Sequence, residues 1–424
     1  MMSIKILISF FMIFFILGIV IYLTKKYKLS KDQILIFSVL VLFWSILSII
    51  RAYRKLYAIT PIEQGGLSLS AELAAQIAAA YGLISFLFRL PMFFMSDLFK
   101  KRRIFVQLAL FMLVISSVAV FYNASYTTLY FSSLALGLGA TMLAMFNVIF
   151  SETFSKDRAV ISVSILSAAP LLAEFIAAPI QYLFTFGEYK YYNYMWLLAG
   201  IMAMIALLLS FQMKDYVEKN KSFSFEKVKV VLKHKSFLYL CLLALLLSFI
   251  KFSTSGANML AYGKTELNMN AAMLAYMDTV FAVPQLISGI LVGTYFSRKL
   301  GIQKTLLLLF STSILFFVIV LHIDNPYIIY FSYLLNGFFY GGVYNILISM
   351  AMQYFDREYR SVSMGIYQAF FAVGIYYGDY VYVWISRHVK SGLLGFEQSK
   401  SIFLITLILT VISMILVKIK IKDN

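Results

Sequence analysis

Apolar residues dominate the chain in long blocks, with polar and charged residues collected between them. The blocks run from Ile4 to Leu23, Gln33 to Ala58, Leu69 to Phe94, Ile104 to Tyr122, Tyr126 to Phe150, Ala159 to Phe184 and Tyr192 to Phe211. After a polar stretch from Gln212 to Ser236 they resume: Phe237 to Asn258, Asn268 to Tyr295, Thr305 to Ile323, Tyr327 to Met352, Ser361 to Ser386 and Ser401 to Lys418. A bilayer core of about 30 Å takes about 20 helical residues to cross, and each block approaches or exceeds that length. No alternating short strands appear, and an open sheet edge cannot survive in lipid, so the blocks predict membrane helices. The fold class expected is an all-α membrane protein. Within the polar stretch, Phe225, Val228 and Leu232 share one helical face against Lys221, Lys227, Lys229 and Lys233, which predicts an interfacial linker helix.

Composition agrees with that reading. The chain is 62% hydrophobic and only 13% charged, so an ordinary soluble domain is excluded. The net charge of +17 comes largely from Lys and Arg in the segments between helices, including Lys25, Lys26, Lys100 to Arg103, Lys299, Lys304 and Lys418 to Lys422. Such cations mark the cytoplasmic side, so the excess is a topology signal and no basic domain remains for nucleic acid. The C-terminus is expected in the cytoplasm of a cell-membrane protein. One cysteine, Cys241, and three scattered histidines, His234, His322 and His388, offer no disulfide, no metal centre and no clustered catalytic site. A transferase-type membrane enzyme would need such a cluster.

The chain repeats itself. Asp157-Arg158, then Ser162-Val163-Ser164, recurs as Asp356-Arg357, then Ser361-Val362-Ser363, at the same point of a second six-helix set. Gly137 and Gly139 recur as Gly337, Gly341 and Gly342, which predicts equivalent tight helix crossings. Ser96-Asp97, an apolar pair and a basic run end the Leu69 to Phe94 block, and Gly293 to Gly301 followed by Lys304 is a worn copy of it. That loop resembles the signature Gly-x-Leu-Ala-Asp-Arg-x-Gly-Arg-Lys of the major facilitator superfamily. Ser96, Asp97, Lys101 and Arg102 match, while Phe93 and Lys100 replace the glycines. The resemblance covers Gln33 to the C-terminus. It implies two six-helix bundles, 31–211 and 237–424, joined by the linker 212–236; the apolar run Ile4 to Leu23 predicts an extra N-terminal membrane helix, 1–30, which the resemblance leaves unexplained. It also implies a monomer that transports a small molecule through the bilayer by alternating access, with Asp97, Lys101, Arg102, Arg158 and Arg357 in gating loops.

Ionisable groups inside spans are costly and therefore mark function. Asp278, Glu174 and Asp379 are the candidate proton or ion carriers, Asp379 being read as either a carrier or an outer-vestibule residue. Lys251 lies at a depth to pair with Asp278, either as a gate or as a permanent structural pair. Arg51 and Arg54 can attract an anionic solute, with Glu72 as resting partner, Arg54 being read as snorkelling to headgroups. Arg89 can bind a carboxylate or phosphate, or brace the loop below through Asp97. Asn147, Gln285, Tyr344, Asn345 and Gln368 are further candidates for contacts to a polar solute. Ala169-Pro170 to Ala173-Glu174 is similar to the Gly-Pro-x-x-Gly-Gly signature of the superfamily's antiporter branch, which leans toward export. Ser133 stands where the superfamily's fourth helix carries an arginine. No Gly-rich phosphate loop is present, so the expected driving force is an ion gradient, with protons the expected ion and no cofactor. The alternative on the same fold is a lipid or amphiphile flippase.

Overall fold

A chain surrounded by lipid must satisfy its backbone hydrogen bonds internally, and this one does so with helices. The computed structural model describes residues 2–99, 101–154, 159–214, 225–356 and 359–421. Helix α1 spans Met2–Tyr27. The first half follows as α2 (Lys31–Arg51), α3 (Arg54–Ile59), α4 (Ala71–Phe99), α5 (Arg102–Tyr122), α6 (Tyr126–Glu152), α7 (Ala159–Thr185) and α8 (Tyr192–Ser210). Helix α9 (Phe225–Lys233) precedes the second half: α10 (Lys235–Ser253), α11 (Ala257–Thr265), α12 (Ala271–Leu291), α13 (Ser297–Leu300), α14 (Ile302–His322), α15 (Pro326–Gln353), α16 (Arg360–His388) and α17 (Ser401–Lys420). Ten of the described helices are long and apolar enough to cross a membrane. Among the described residues the only β element is a single bridge between Leu393 and Phe396.

Sequence chemistry sets several boundaries. Ser30 caps α2 reciprocally with Gln33, the Gln33 backbone N–H donating to Ser30 Oγ at 3.3 Å and the Ser30 N–H to Gln33 Oε1 at 2.9 Å. Asn270 caps α12, and Asn325 caps α15 with Pro326 at its first position. The segment read as a loop at Ser96-Asp97 is different: the backbone stays helical to Phe99. Two spans read as single helices are each broken. The α2–α3 break falls at Ala52 and Tyr53, and the α10–α11 break at Thr254 to Gly256, where Gly256 takes a φ of 55°.

The halves pack alike. Helix α4 crosses α6 where Gly137 faces the carbonyl of Tyr81, and α12 crosses α15 where Gly337 faces the carbonyl of Phe281; a Cβ on either glycine would run into that carbonyl. Helices α5 and α8 pair in the first half as α14 and α17 pair in the second. The halves meet where α4 packs against α16, α7 against α12 and α3 against α11. The ends can be assigned by contacts: Asp32 meets Lys214, Arg103 meets the Met213 carbonyl, and Gln303 meets the Ile421 carbonyl. Antiparallel α4 and α16 put the Lys101, α9 and Lys299 segments at one end, here the basic end. The loops 60–70 and 389–400 occupy the far end. Helix α1 lies outside this body against the α7–α12 seam, through Phe15 on Phe175 and a 3.4 Å contact between Ser9 and Tyr276.

Candidate functional site

The two broken spans are the first of each half, and each break begins beside a cation: Arg51 closes α2, and Lys251 sits in the last turn of α10. A helix end leaves carbonyls without partners, so the first question is what satisfies them. Gln181 of α7 donates to the carbonyls of Ser48 and Ile49 at 2.8 and 3.2 Å, and Arg54 donates to that of Arg51 at 2.7 Å. At the second break, Asn258 donates to the Phe252 carbonyl at 2.9 Å and the Tyr382 hydroxyl to that of Ser253 at 2.7 Å. Side chains other than Arg51 and Lys251 therefore complete both ends.

Four ionisable groups from both halves meet beside these breaks. Arg51 of α2, Glu174 of α7, Lys251 of α10 and Asp278 of α12 lie within one another's electrostatic field. Glu174 is buried and accepts a 2.7 Å hydrogen bond from Ser48. Asp278 Oδ2 is buried with no hydrogen-bond partner. Lys251 Nζ lies 4.5 and 4.6 Å from the ring centres of Phe252 and Tyr340. Neither Arg51 nor Lys251 is in ion-pair contact with a carboxylate among the described residues. The expected Lys251–Asp278 pair is thus absent as a contact: the two are neighbours, and the rings of α10 and α15 hold the ammonium instead.

Toward the far end a second network ties the halves together. Arg54 contacts Asp379 at 3.3 Å and donates to the Ala78 carbonyl at 3.0 Å. Asn258 donates to Asp379 Oδ1 at 2.7 Å and accepts from Lys55 Nζ at 2.8 Å, and Lys55 also lies 3.6 Å from the centre of the Tyr382 ring. The reading of Arg54 as a snorkelling side chain is overturned, since only 3% of it is exposed. Asp379 is likewise no vestibule residue; it is buried at the centre of this network. Glu72 pairs with Arg387 at 2.6 Å rather than with Arg51 or Arg54, adding an exposed clasp at the rim. Lys55 and Arg387 had no part in the sequence reading. The close spacing of Arg51, Arg54 and Lys55 at the end of an apolar span was the available signal for Lys55, because such spacing places them within one turn.

Nearer the basic end, buried Arg89 of α4 donates to Gln368 Oε1 of α16 at 2.8 Å, its guanidinium lying close to Tyr344 and Tyr340. Gln285 is half-buried on α12, its backbone packed against Gly341. Asn345 is exposed, with its amide against Gly289. Lys101 is exposed and Arg102 half-buried at the start of α5. Arg158 and Arg357 lie outside the described residues, as do the side chains of Asp97 and Asn147.

Comparison with known proteins bears on this arrangement. A family model described as Major Facilitator Superfamily matches residues 6–378. The chain belongs to the major facilitator superfamily. A search of curated proteins returned no match. Among solved structures, the nucleoside transporter NupG superposes with a TM-score of 0.70 at 12% identity, covering 93% of this chain and 100% of that one. A POT family transporter in complex with 5-aminolevulinic acid gives 0.72 at 14%, covering 93% and 97%. A bacterial homologue of the human lysosomal transporter Spinster, in an inward-facing and occupied conformation, gives 0.65 at 12%, covering 92% and 96%. At such identities these likenesses establish the shared fold.

Proposed function

We propose that this superfamily member is a secondary active transporter that moves a small organic solute across the cell membrane by alternating access, driven by protons. The single observation that carries the reading is the meeting of Arg51, Glu174, Lys251 and Asp278, two from each half, beside two broken helices. Charges in a span are retained for function, and breaks in membrane helices are tolerated where they line a site. A site shared by two rigid halves changes its exposure when one half rocks against the other. The Arg54–Asp379 and Glu72–Arg387 contacts hold the far end shut in this state. By the positive-inside rule the basic end faces the cytoplasm, so this is the state closed to the outside. Asp278 and Glu174 are the proposed proton carriers. They face Arg51, Arg54 and Lys251 as well as each other, and Tyr333 of α15 lies beside Asp278. The charged centre favours a water-soluble solute over a lipid tail, and the protein is proposed to act as a monomer.

The test is solute accumulation in proteoliposomes under an imposed pH gradient, with solutes chosen by thermal stabilisation of the purified protein. Accumulation that depends on the gradient is expected. Asp278→Asn and Glu174→Gln are each expected to abolish it while sparing solute exchange at equal concentrations. Full gradient-driven rates in both variants would remove those carboxylates from the coupling mechanism.

A further inference from the structure

We infer that a small, soluble organic anion binds where α2, α7, α10 and α12 come together, its carboxylate or phosphate held by Arg51 and Lys251. The inference rests on the transporter reading of the same site and adds the class of solute. Arg51 and Lys251 each sit in the last turn of the first span of their half, beside its break. A cation at a helix C-terminus can serve merely to complement the helix dipole and cap free carbonyls. Here Gln181, Arg54, Asn258 and Tyr382 take those carbonyls, so neither cation is spent on a helix end: Arg51 faces the Tyr81 hydroxyl and Lys251 rests on the Phe252 and Tyr340 rings.

Charge balance decides the sign of that partner. Among the described groups within the helix bundle, buried Arg54, Lys55 and Arg89 with half-buried Arg51 and Lys251 outnumber buried Glu174 and Asp379 with half-buried Asp278. Arg54 and Lys55 are engaged with Asp379 and Asn258, and Arg89 with Gln368, whereas Arg51 beside Tyr81 and Lys251 over its rings touch no carboxylate among the described residues. A charge held away from water is costly unless paired. A neutral solute would leave the cation excess in place, a cationic one would enlarge it, and an anion offsets it. The guanidinium supplies a planar two-pronged donor and the ammonium a point charge, a combination suited to oxyanions. The rings of Phe252 and Tyr340 beside Lys251 provide a flat apolar wall for the rest of the molecule.

The full-length protein in phosphatidylcholine nanodiscs would be titrated with matched probes: benzoate, benzamide and benzylamine; succinate and succinamide; uridine monophosphate and uridine. At least one anion is expected to raise the melting temperature while its neutral or cationic partner does not. Arg51→Gln and Lys251→Gln should each weaken that anion by about 10- to 100-fold, the loss of one charge-assisted contact. Arg51→Lys and Lys251→Arg should recover much of it, and unliganded melting and size-exclusion profiles identify any variant that fails to fold. Stabilisation confined to neutral or cationic probes, or given by none, would overturn the inference. So would stabilisation by phosphatidylglycerol nanodiscs alone that disappears in Arg51→Gln, which would assign the oxyanion to a lipid headgroup. The two readings fail separately. An accumulated neutral solute would overturn the anion site and keep the transporter, whereas an anion that binds at Arg51 and Lys251 but never crosses would keep the site and overturn transport.

Discussion

Arg54 and Asp379 are 325 residues apart in the chain and in contact within the fold. Removing one member of a buried pair strands the other, which typically costs about 3–5 kcal/mol, whereas replacing both with apolar residues costs far less. Asp379→Ala is therefore expected to lower stability by about 3–5 kcal/mol, and Arg54→Met with Asp379→Leu to recover much of that loss. Lys251 and Asp278 provide the contrast, because Lys251 rests on the Phe252 and Tyr340 rings and not on the carboxylate. Double-mutant cycles read by thermal unfolding should give the Arg54–Asp379 pair the larger coupling. The reverse order would mean that Lys251 and Asp278 pair in the dominant state. The intramembrane charges themselves were legible in the sequence, since each interrupts an apolar block. Their pairing was not, because the partner of a charge is set by which helices cross, and depth along a helix leaves several partners open.

Helices in lipid gain little from apolar burial, since the tails outside are as apolar as the side chains inside, so close backbone approach carries much of their packing. Gly137 and Gly337 show this at equivalent crossings, each facing the carbonyl of a neighbouring helix. Gly137→Val and Gly337→Val are expected to abolish the monodisperse peak in detergent size-exclusion chromatography. Gly18→Ala, where an added Cβ meets nothing, should leave it unchanged. Retention of the peak in both valine variants would mean that these crossings are not tight. The repeated glycines predicted such crossings from the sequence. The breaks at Ala52–Tyr53 and Thr254–Gly256 were hidden, because the first contains neither Pro nor Gly and apolar residues resume within a turn beyond each. What holds them open is Gln181, Arg54, Asn258 and Tyr382, and Gln181 and Tyr382 belong to other helices of their halves.

At the scale of the molecule, the far end is closed by contacts between the halves, and transport requires that they separate. Replacing Glu72 and Arg387 by cysteines and joining them with a short bifunctional thiol reagent should stop solute movement, and reversal of the link should restore it. Undiminished transport with the link complete would show that this end does not open. Cys241 is buried in α10, out of the reagent's reach.

Hydrophobic blocks, the basic run after Phe99 and the repeated motifs were enough to determine an all-helical membrane protein of the major facilitator type, because block length and charge placement answer directly to the thickness and polarity of the bilayer. Tertiary structure alone decided which charges meet a carboxylate and which rest on other groups. Arg54, Lys55 and Asp379 became a network between the halves, while Arg51 was set beside Tyr81 and Lys251 over the Phe252 and Tyr340 rings. The physical reason is that the cost of a charge in lipid depends on its nearest neighbours, and in a two-bundle fold those neighbours come from helices far apart along the chain.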